Sequence, residues 1–401
     1  MWEIPLLLLI LLLIAILLQV DFVFYLVYVL AGSYLLARWW TGRSLPRLQV
    51  RRRLTDHIFP GETTRVEIEI KNTSWWPVPW LRLEESAPLA VAAGPAVRQV
   101  VSLGPKGRLA VHYDLIGRQR GYYPIGPAAM TVGDLFGFAE VQGRLEALDH
   151  LTVYPRVIPL THVDLTSRSP HGSLASQQRI FADPTRVIGK REYRPGDPLR
   201  TIDWKSSAHT NALQVKQYAP AVSLIGVIFL ELSARAYTTQ LRYGASEWGI
   251  VVAASLASYL IEQRQAVGLG CNGVDTLSGV ERWLIPPRPG RVHLMKLLEW
   301  LARVQTADLA PLADWLPTAA LGLGWGTTVI IVCPTGDEAT CRAAHRLLRA
   351  GLNPVLAVIE PHGQFGVIRE RARRLGVAAH LVASEADLKR WAVGRSFSLA
   401  A

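Results

Sequence analysis

The densest chemistry in this chain lies in one stretch, Gly189-Lys190-Arg191-Glu192-Tyr193-Arg194-Pro195-Gly196-Asp197-Pro198-Leu199-Arg200-Thr201-Ile202-Asp203-Trp204-Lys205. It carries five bases, three acids and two aromatics, with a turn at Pro195-Gly196-Asp197-Pro198. Charge pairs across a tight motif suit Arg200, Asp203 and Lys205. Two chemistries fit such a set. One is a network of ion pairs that clamps the segment or docks a partner through Arg191, Glu192, Tyr193, Arg194, Asp197, Arg200, Asp203, Trp204 and Lys205. The other is a small-anion site, since the guanidinium fork matches carboxylate and phosphate alike. Structure or docking is the leading reading.

Signatures of catalysis are missing. There is no G-x-x-x-x-G-K-S/T loop, no H-E-x-x-H helix and no G-x-S-x-G elbow. Gly322-Leu323-Gly324-Trp325-Gly326 precedes a strand pattern, whereas a phosphate cradle follows one. His171, His209 and His345 are scattered and read as surface or core residues. Three cysteines, Cys271, Cys333 and Cys341, form no C-x-x-C, which excludes a disulfide framework and fits a reducing compartment. Cys333 and Cys341 read as buried packing residues.

The elements that must position this stretch divide the 401 residues into blocks. Residues 48–155 alternate with period two, as in Thr64–Ile70 and Leu109–Leu115, and Pro and Gly break the runs. This predicts an antiparallel, immunoglobulin-like β-sandwich. Asn72-Thr73-Ser74 reads as a turn; a cytoplasmic location makes its glycosylation sequon irrelevant. Residues 156–218 link the domains and hold the charged stretch. Residues 219–400 alternate buried-strand runs (Ser223–Leu230, Ala266–Cys271, Thr327–Cys333, Pro354–Ile359, Val377–Val382) with amphipathic helices. One helix opens on Asp337-Glu338 and closes on Arg346, Arg349 and Gly351, as the helix dipole and a glycine cap require. Ser384-Glu385-Ala386-Asp387 reads as a capping box. The alternation predicts a mostly parallel, doubly wound α/β sheet.

Residues 1–40 are apolar from Ile4 to Leu18 and again from Phe22 to Leu36. As one helix they would run about 50 Å, against a hydrocarbon core of ~30 Å. Two short spans turning at Gln19–Asp21 use that length better than one span, and Glu3 as the only early charge argues against a cleaved signal peptide. Trp2, Trp39 and Trp40 fall where interfacial aromatics belong. Arg38, Arg43, Arg47, Arg51, Arg52 and Arg53 follow with no acid among them, which places this flank in the cytoplasm. The expectation is a multi-pass cell-membrane protein with its bulk cytoplasmic, the six arginines serving topology and headgroup attraction.

Arg191–Lys205 resembles the hallmark of the family catalogued as domain of unknown function 58. Gly121-Tyr122-Tyr123-Pro124-Ile125-Gly126-Pro127, Gly133-Asp134-Leu135-Phe136-Gly137 and Val153-Tyr154-Pro155-Arg156 agree with it. The resemblance implies a C-terminal fold similar to the von Willebrand factor A domain and genes often placed beside a MoxR-type AAA+ ATPase. In that fold a divalent ion sits above the strand ends, on an Asp-x-Ser-x-Ser stretch, a Thr and an Asp. The matching positions here are Glu231, Ser233 and Arg235, then Cys271-Asn272-Gly273 without a Thr, then Thr335 where the acid is expected, with Asp337 two residues late. A guanidinium repels a cation, so the resemblance implies a degenerate metal site at Glu231, Ser233, Arg235, Thr335 and Asp337. Glu231 and Arg235 are free to pair with each other or with a partner instead.

The combined expectation is a membrane-anchored, non-enzymatic interaction protein without a cofactor. Its partners would be the lipid bilayer and a cytoplasmic protein such as a MoxR-type ATPase. The alternative is a Mg²⁺-dependent binder or enzyme built on Glu231 and Ser233. The net charge of +11 invites nucleic acid, but the arginines cluster beside the membrane and no recognition module is visible.

Overall fold

The computed structural model describes residues 3–19, 21–94, 97–145, 148–161, 163, 181–194, 199–221, 225–360 and 362–393. Trp2, His171, Asp197 and the start of the Ser223–Leu230 run lie outside them. The chain forms two compact units. One comprises residues 1–156 with the short pieces 275–279 and 298–304, and the other holds the remainder. Apart from Arg156, the linking segment 156–218 falls in the second unit, which begins at Val157.

The first unit opens with α1 (Glu3–Leu18) and α2 (Asp21–Ser44). Gln19 between them takes a left-handed φ of 49°. Of the two, α2 is long and apolar enough to cross a bilayer, while α1 has 16 residues. Most of their apolar side chains point outward, Leu17 and Phe22 among them. Ten strands follow: β1 (Leu48–Arg53), β2 (His57–Ile58), β3 (Thr63–Asn72), β4 (Val78–Glu85), β5 (Val97–Leu103), β6 (Arg108–Ile116), β7 (Gly121–Ile125), β8 (Ala128–Gly133), β9 (Glu140–Leu145) and β10 (Asp149–Val153). They pair as sheets ordered β1-β3-β6, β2-β10-β7 and β5-β4-β8-β9. Alternate residues of β3 (Val66, Ile68, Ile70), β4 (Leu81, Leu83) and β6 (Val111, Leu115) share one core. Full burial of each such side chain contributes about 1.5–3 kcal/mol. At the Asn72-Thr73-Ser74 corner Asn72 and Ser74 are buried while Thr73 is exposed. The Asn72 amide donates to the carbonyls of Trp76 and Gly104, and its Oδ1 accepts from Ser74.

One expectation about the juxtamembrane arginines is overturned here. Arg52 is not available to lipid headgroups: its side chain is 1% exposed inside the sandwich. Its guanidinium donates to Glu85 at 2.6 Å and to Asp149 at 2.7 Å. The strand period explains this, since Arg52 shares the inward face of β1 with Leu48 and Val50. Likewise Glu85 follows Leu81 and Leu83 on the inner face of β4. Burial pushes the Glu85 carboxyl up, against the pull of Arg52.

The second unit begins with β11 (Phe181–Glu192), α3 (Trp204–Thr210) and β12 (Gln214–Ala221), the two strands pairing antiparallel. Next come β13 (Ile225–Leu230), α4 (Arg242–Glu262), β14 (Ala266–Asp275), β15 (Glu281–Arg288), α5 (Arg291–Arg303), β16 (Val304–Gln305), α6 (Leu312–Ala319), β17 (Thr328–Cys333), α7 (Glu338–Arg349), β18 (Asn353–Val358), α8 (Phe365–Arg374), β19 (Ala378–Leu381) and α9 (Glu385–Val393). One sheet runs β15-β14-β13-β17-β18-β19, with β16 also on β14. All neighbours along the path are parallel except the β14–β15 edge. Val227, Phe229, Val329 and Ile331 pack with α6 and α7. The other face of β13 meets α4: a Cβ on Gly226 would lie 2.9 Å from Leu260, and one on Gly249 3.2 Å from Leu230. Thus α4, though long and apolar enough to span a bilayer, is a core helix, two-thirds buried. Strand order reverses between β13 and β17, which opens a crevice at their carboxyl ends.

Candidate functional site

Glu231 follows directly on β13, and its amide donates to the Val332 carbonyl of β17. It is 3% exposed. A carboxylate so placed loses several kcal/mol of hydration unless protein groups replace the water, and here they do. One oxygen accepts from the Ser233 amide at 2.9 Å and from the Asn272 side chain. The other accepts from the Leu312 amide at 2.6 Å, in the first turn of α6, where the helix dipole favours negative charge. Asn272 also accepts from the Leu232 amide and donates to the Ala310 carbonyl. Desolvation still pushes the Glu231 carboxyl above the ordinary glutamate range, against the three hydrogen bonds that lower it.

Ser233, Arg235 and Asp337 are also engaged. The Ser233 hydroxyl donates to the Leu309 carbonyl at 2.6 Å and accepts from the Arg235 amide. Arg235 does not pair with Glu231. Its guanidinium swings outward to Asp308 at 2.6 Å, and both side chains are exposed. Asp337 is the N-cap of α7, accepting from the Thr340 amide at 2.9 Å, and Thr335 is half-buried at the turn before it. This donor set does not fit a divalent ion, which needs several free oxygens around one point. Among the described residues no group of three or more His, Cys, Asp or Glu is placed to hold a metal. The cysteines offer no nucleophile: all three are buried, and burial pushes the Cys333 and Cys341 thiols up. His345 makes a hydrogen-bond contact with the Leu375 carbonyl, and His209 is exposed on α3.

The charged stretch is built as a brace around α3. Arg191 and Glu192 end β11, opposite Val215 and Gln214 of β12. The Tyr193 amide donates to Leu213 and the Asp203 amide to Gln214. Asp203 caps α3 by accepting from the Ser206 amide, and its carboxylate meets the Lys190 ammonium at 2.9 Å. That ammonium holds the Asp203 carboxyl below its usual range. The Ser207 hydroxyl donates to the Asp203 carbonyl and accepts from the Gln214 amide. Asn211 closes the helix at φ 52°. So fixed, the segment holds large apolar groups outward: Leu199 and Trp204 are each 68% exposed, and Leu213 45%. Arg194 and Lys205 are exposed around them, and Arg191 is half-buried. Arg200 lies on a short 3₁₀ turn, Leu199–Thr201.

Residues 189–319 match the family model described as protein of unknown function DUF58. The uncharacterized protein YeaD of Bacillus subtilis (strain 168) is 23% identical over 247 residues, 60% of this chain and 58% of that one. The chain thus aligns with under three-fifths of that curated relative. Among solved structures, a CARDB domain from Pyrococcus furiosus, crystallised with di-metal ions, is 22% identical, covers 26% of this chain and 86% of its own, and has a TM-score of 0.20. The human complex of zinc 2-glycoprotein with prolactin inducible protein is 10% identical, over 26% of this chain and 92% of that one, at a TM-score of 0.23.

Sequence reasoning overlooked Asn272, Tyr237, Asp308 and the Leu312 amide. Asn272 carried a signal, being a polar residue at the end of the apolar run Ala266–Cys271. Tyr237, whose hydroxyl donates to the Glu231 carbonyl, Asp308 and Leu312 carried none, because their partners lie 6, 73 and 81 residues away in the chain.

Proposed function

We propose that this chain is a membrane-anchored, non-enzymatic docking protein. Two N-terminal spans, α1 and α2, tether it with both ends on the cytoplasmic side. The sandwich is a spacer, and the second unit, read as a von Willebrand A-like domain, carries the docking surface toward a cytoplasmic protein. The strand order β15-β14-β13-β17-β18-β19 supports that fold reading. A MoxR-type AAA+ ATPase is the candidate partner that the family resemblance suggests.

The observation that carries the proposal is Trp204, held two-thirds exposed on a helix whose cap and flanks are pinned. Exposed, rigid tryptophan beside arginine and lysine is the composition of an interface hot spot. The strand-end crevice points the same way, because the buried Glu231 carboxylate is consumed by internal hydrogen bonds. The test is co-purification of the detergent-solubilised full chain with the ATPase. Binding that falls by roughly thirtyfold in Trp204→Ala, on the ~2 kcal/mol of a hot-spot aromatic, supports the reading. Binding indifferent to that change, or no specific partner at all, counts against it.

A further inference from the structure

The motif Gly133-Asp134-Leu135-Phe136-Gly137 has no place in the docking surface, yet it is built with care. Asp134 is buried; its two oxygens accept from the Phe136 and Ala139 amides at 2.9 and 2.8 Å. Its carbonyl accepts from the Trp80 indole, and a Cβ on Gly133 would collide with that indole at 2.0 Å. These ties hold Leu135 and Phe136 72% and 68% exposed. Apolar side chains fixed outward by a buried acid suit an apolar medium rather than water.

The same unit shows which medium. The loop forms one wall of a small, open apolar groove, whose other wall is Leu36, Ala37 and Trp40 of α2. A second groove, sharing Trp40 and Ser44 with the first, is lined by Arg43, Arg47 and Trp76. Trp40 is fixed by its hydrogen bond to the Pro77 carbonyl and its edge contact with Trp76. Arg43 lies over Trp39 at 4.8 Å, and the Lys106 ammonium over the exposed Trp75 at 3.6 Å. Along α2 and the 3₁₀ turn Leu45–Arg47 that follows it, the order is therefore apolar groove, indole, guanidinium pair. A phospholipid has the same order: acyl chain, glycerol, phosphate. Trp and Arg at that level are interfacial anchors.

Resting on the reading of α2 as a membrane span, we propose that these grooves seat one anionic phospholipid. Its phosphate is held by Arg43 and Arg47 and one acyl chain lies between α2 and the loop, while Leu135 and Phe136 dip into the bilayer. The sandwich is thereby seated on the membrane surface.

Two measurements on the full chain test this. In native mass spectrometry from mixed phosphatidylglycerol and phosphatidylcholine micelles, wild type retains phosphatidylglycerol selectively, and Arg43→Gln/Arg47→Gln loses that retention by roughly tenfold. A spin label on Phe136→Cys, free of competition from the three buried native cysteines, is relaxed by oxygen more than by an aqueous nickel chelate in vesicles of the same lipids. Undiminished phosphatidylglycerol retention in the double variant, or a Phe136→Cys label open to the chelate, overturns the proposal. Release of wild type from vesicles by an alkaline wash would overturn the membrane span itself, a failure that neither other result resembles.

Discussion

Glu231 is the residue that ties the strand-end crevice together. Its carboxylate joins the end of β13, Asn272 of β14 and the first turn of α6. Truncation to alanine strands the Ser233 and Leu312 amides and the Asn272 side chain in a buried site. At ~1–3 kcal/mol for each unsatisfied group, Glu231→Ala should destabilise the second unit by about 3 kcal/mol or more, measured by denaturant unfolding. The pH dependence follows from its raised position. Folded Glu231 holds its proton more tightly than unfolded Glu231, so its stabilising contribution is complete below the ordinary value of 4.5 and fades as pH climbs through the higher folded value. Glu231→Gln lacks that slope, and unfolding curves from pH 4 upward should show wild type losing ground against it. An unchanged gap across the range would remove Glu231 as the titrating group. Arg235→Ala, by contrast, breaks an exposed pair with Asp308 and should leave unfolding unchanged.

At the scale of elements, local patterns were legible and long-range partners were not. The alternation in Thr64–Ile70 and Leu109–Leu115 is the burial pattern of β3 and β6, and Asp337 caps the helix that ends at Arg349. The same period held the clue to Arg52, two residues after Val50 on β1. Three consecutive arginines after a long apolar helix masked it, because a run of like charge hides the period of two. Removing a partner from a buried ion pair typically costs about 3–5 kcal/mol, so Arg52→Ala should unfold the sandwich at markedly lower denaturant, whereas Arg51→Ala, its outward neighbour, should not. The brace at α3 gives a second check. Asp203→Ala removes the cap and the Lys190 partner together, and amide exchange at Ser206 should speed up while β13 stays protected. Trp204→Ala, exposed on the same helix, should shift stability by less than ~0.5 kcal/mol while weakening partner binding. That separates surface from scaffold.

For the whole molecule, the charge excess and the apolar N-terminus belong to one design. An apolar pair of helices is followed by tryptophans and arginines, then by a sandwich whose Asp134 loop sits beside α2, then by a second unit with a tryptophan held outward. The sequence pattern alone conveyed the succession of helical, β-rich and α/β blocks, since each has its own hydrophobic period. It could not convey that the crevice at the strand order reversal is closed by its own backbone. Titrating Mg²⁺ and Mn²⁺ into the solubilised full chain by calorimetry addresses that closure most directly. The account predicts no saturable heat at micromolar to low-millimolar metal, in wild type and Glu231→Ala alike. Micromolar binding by wild type that vanishes in Glu231→Ala would contradict it.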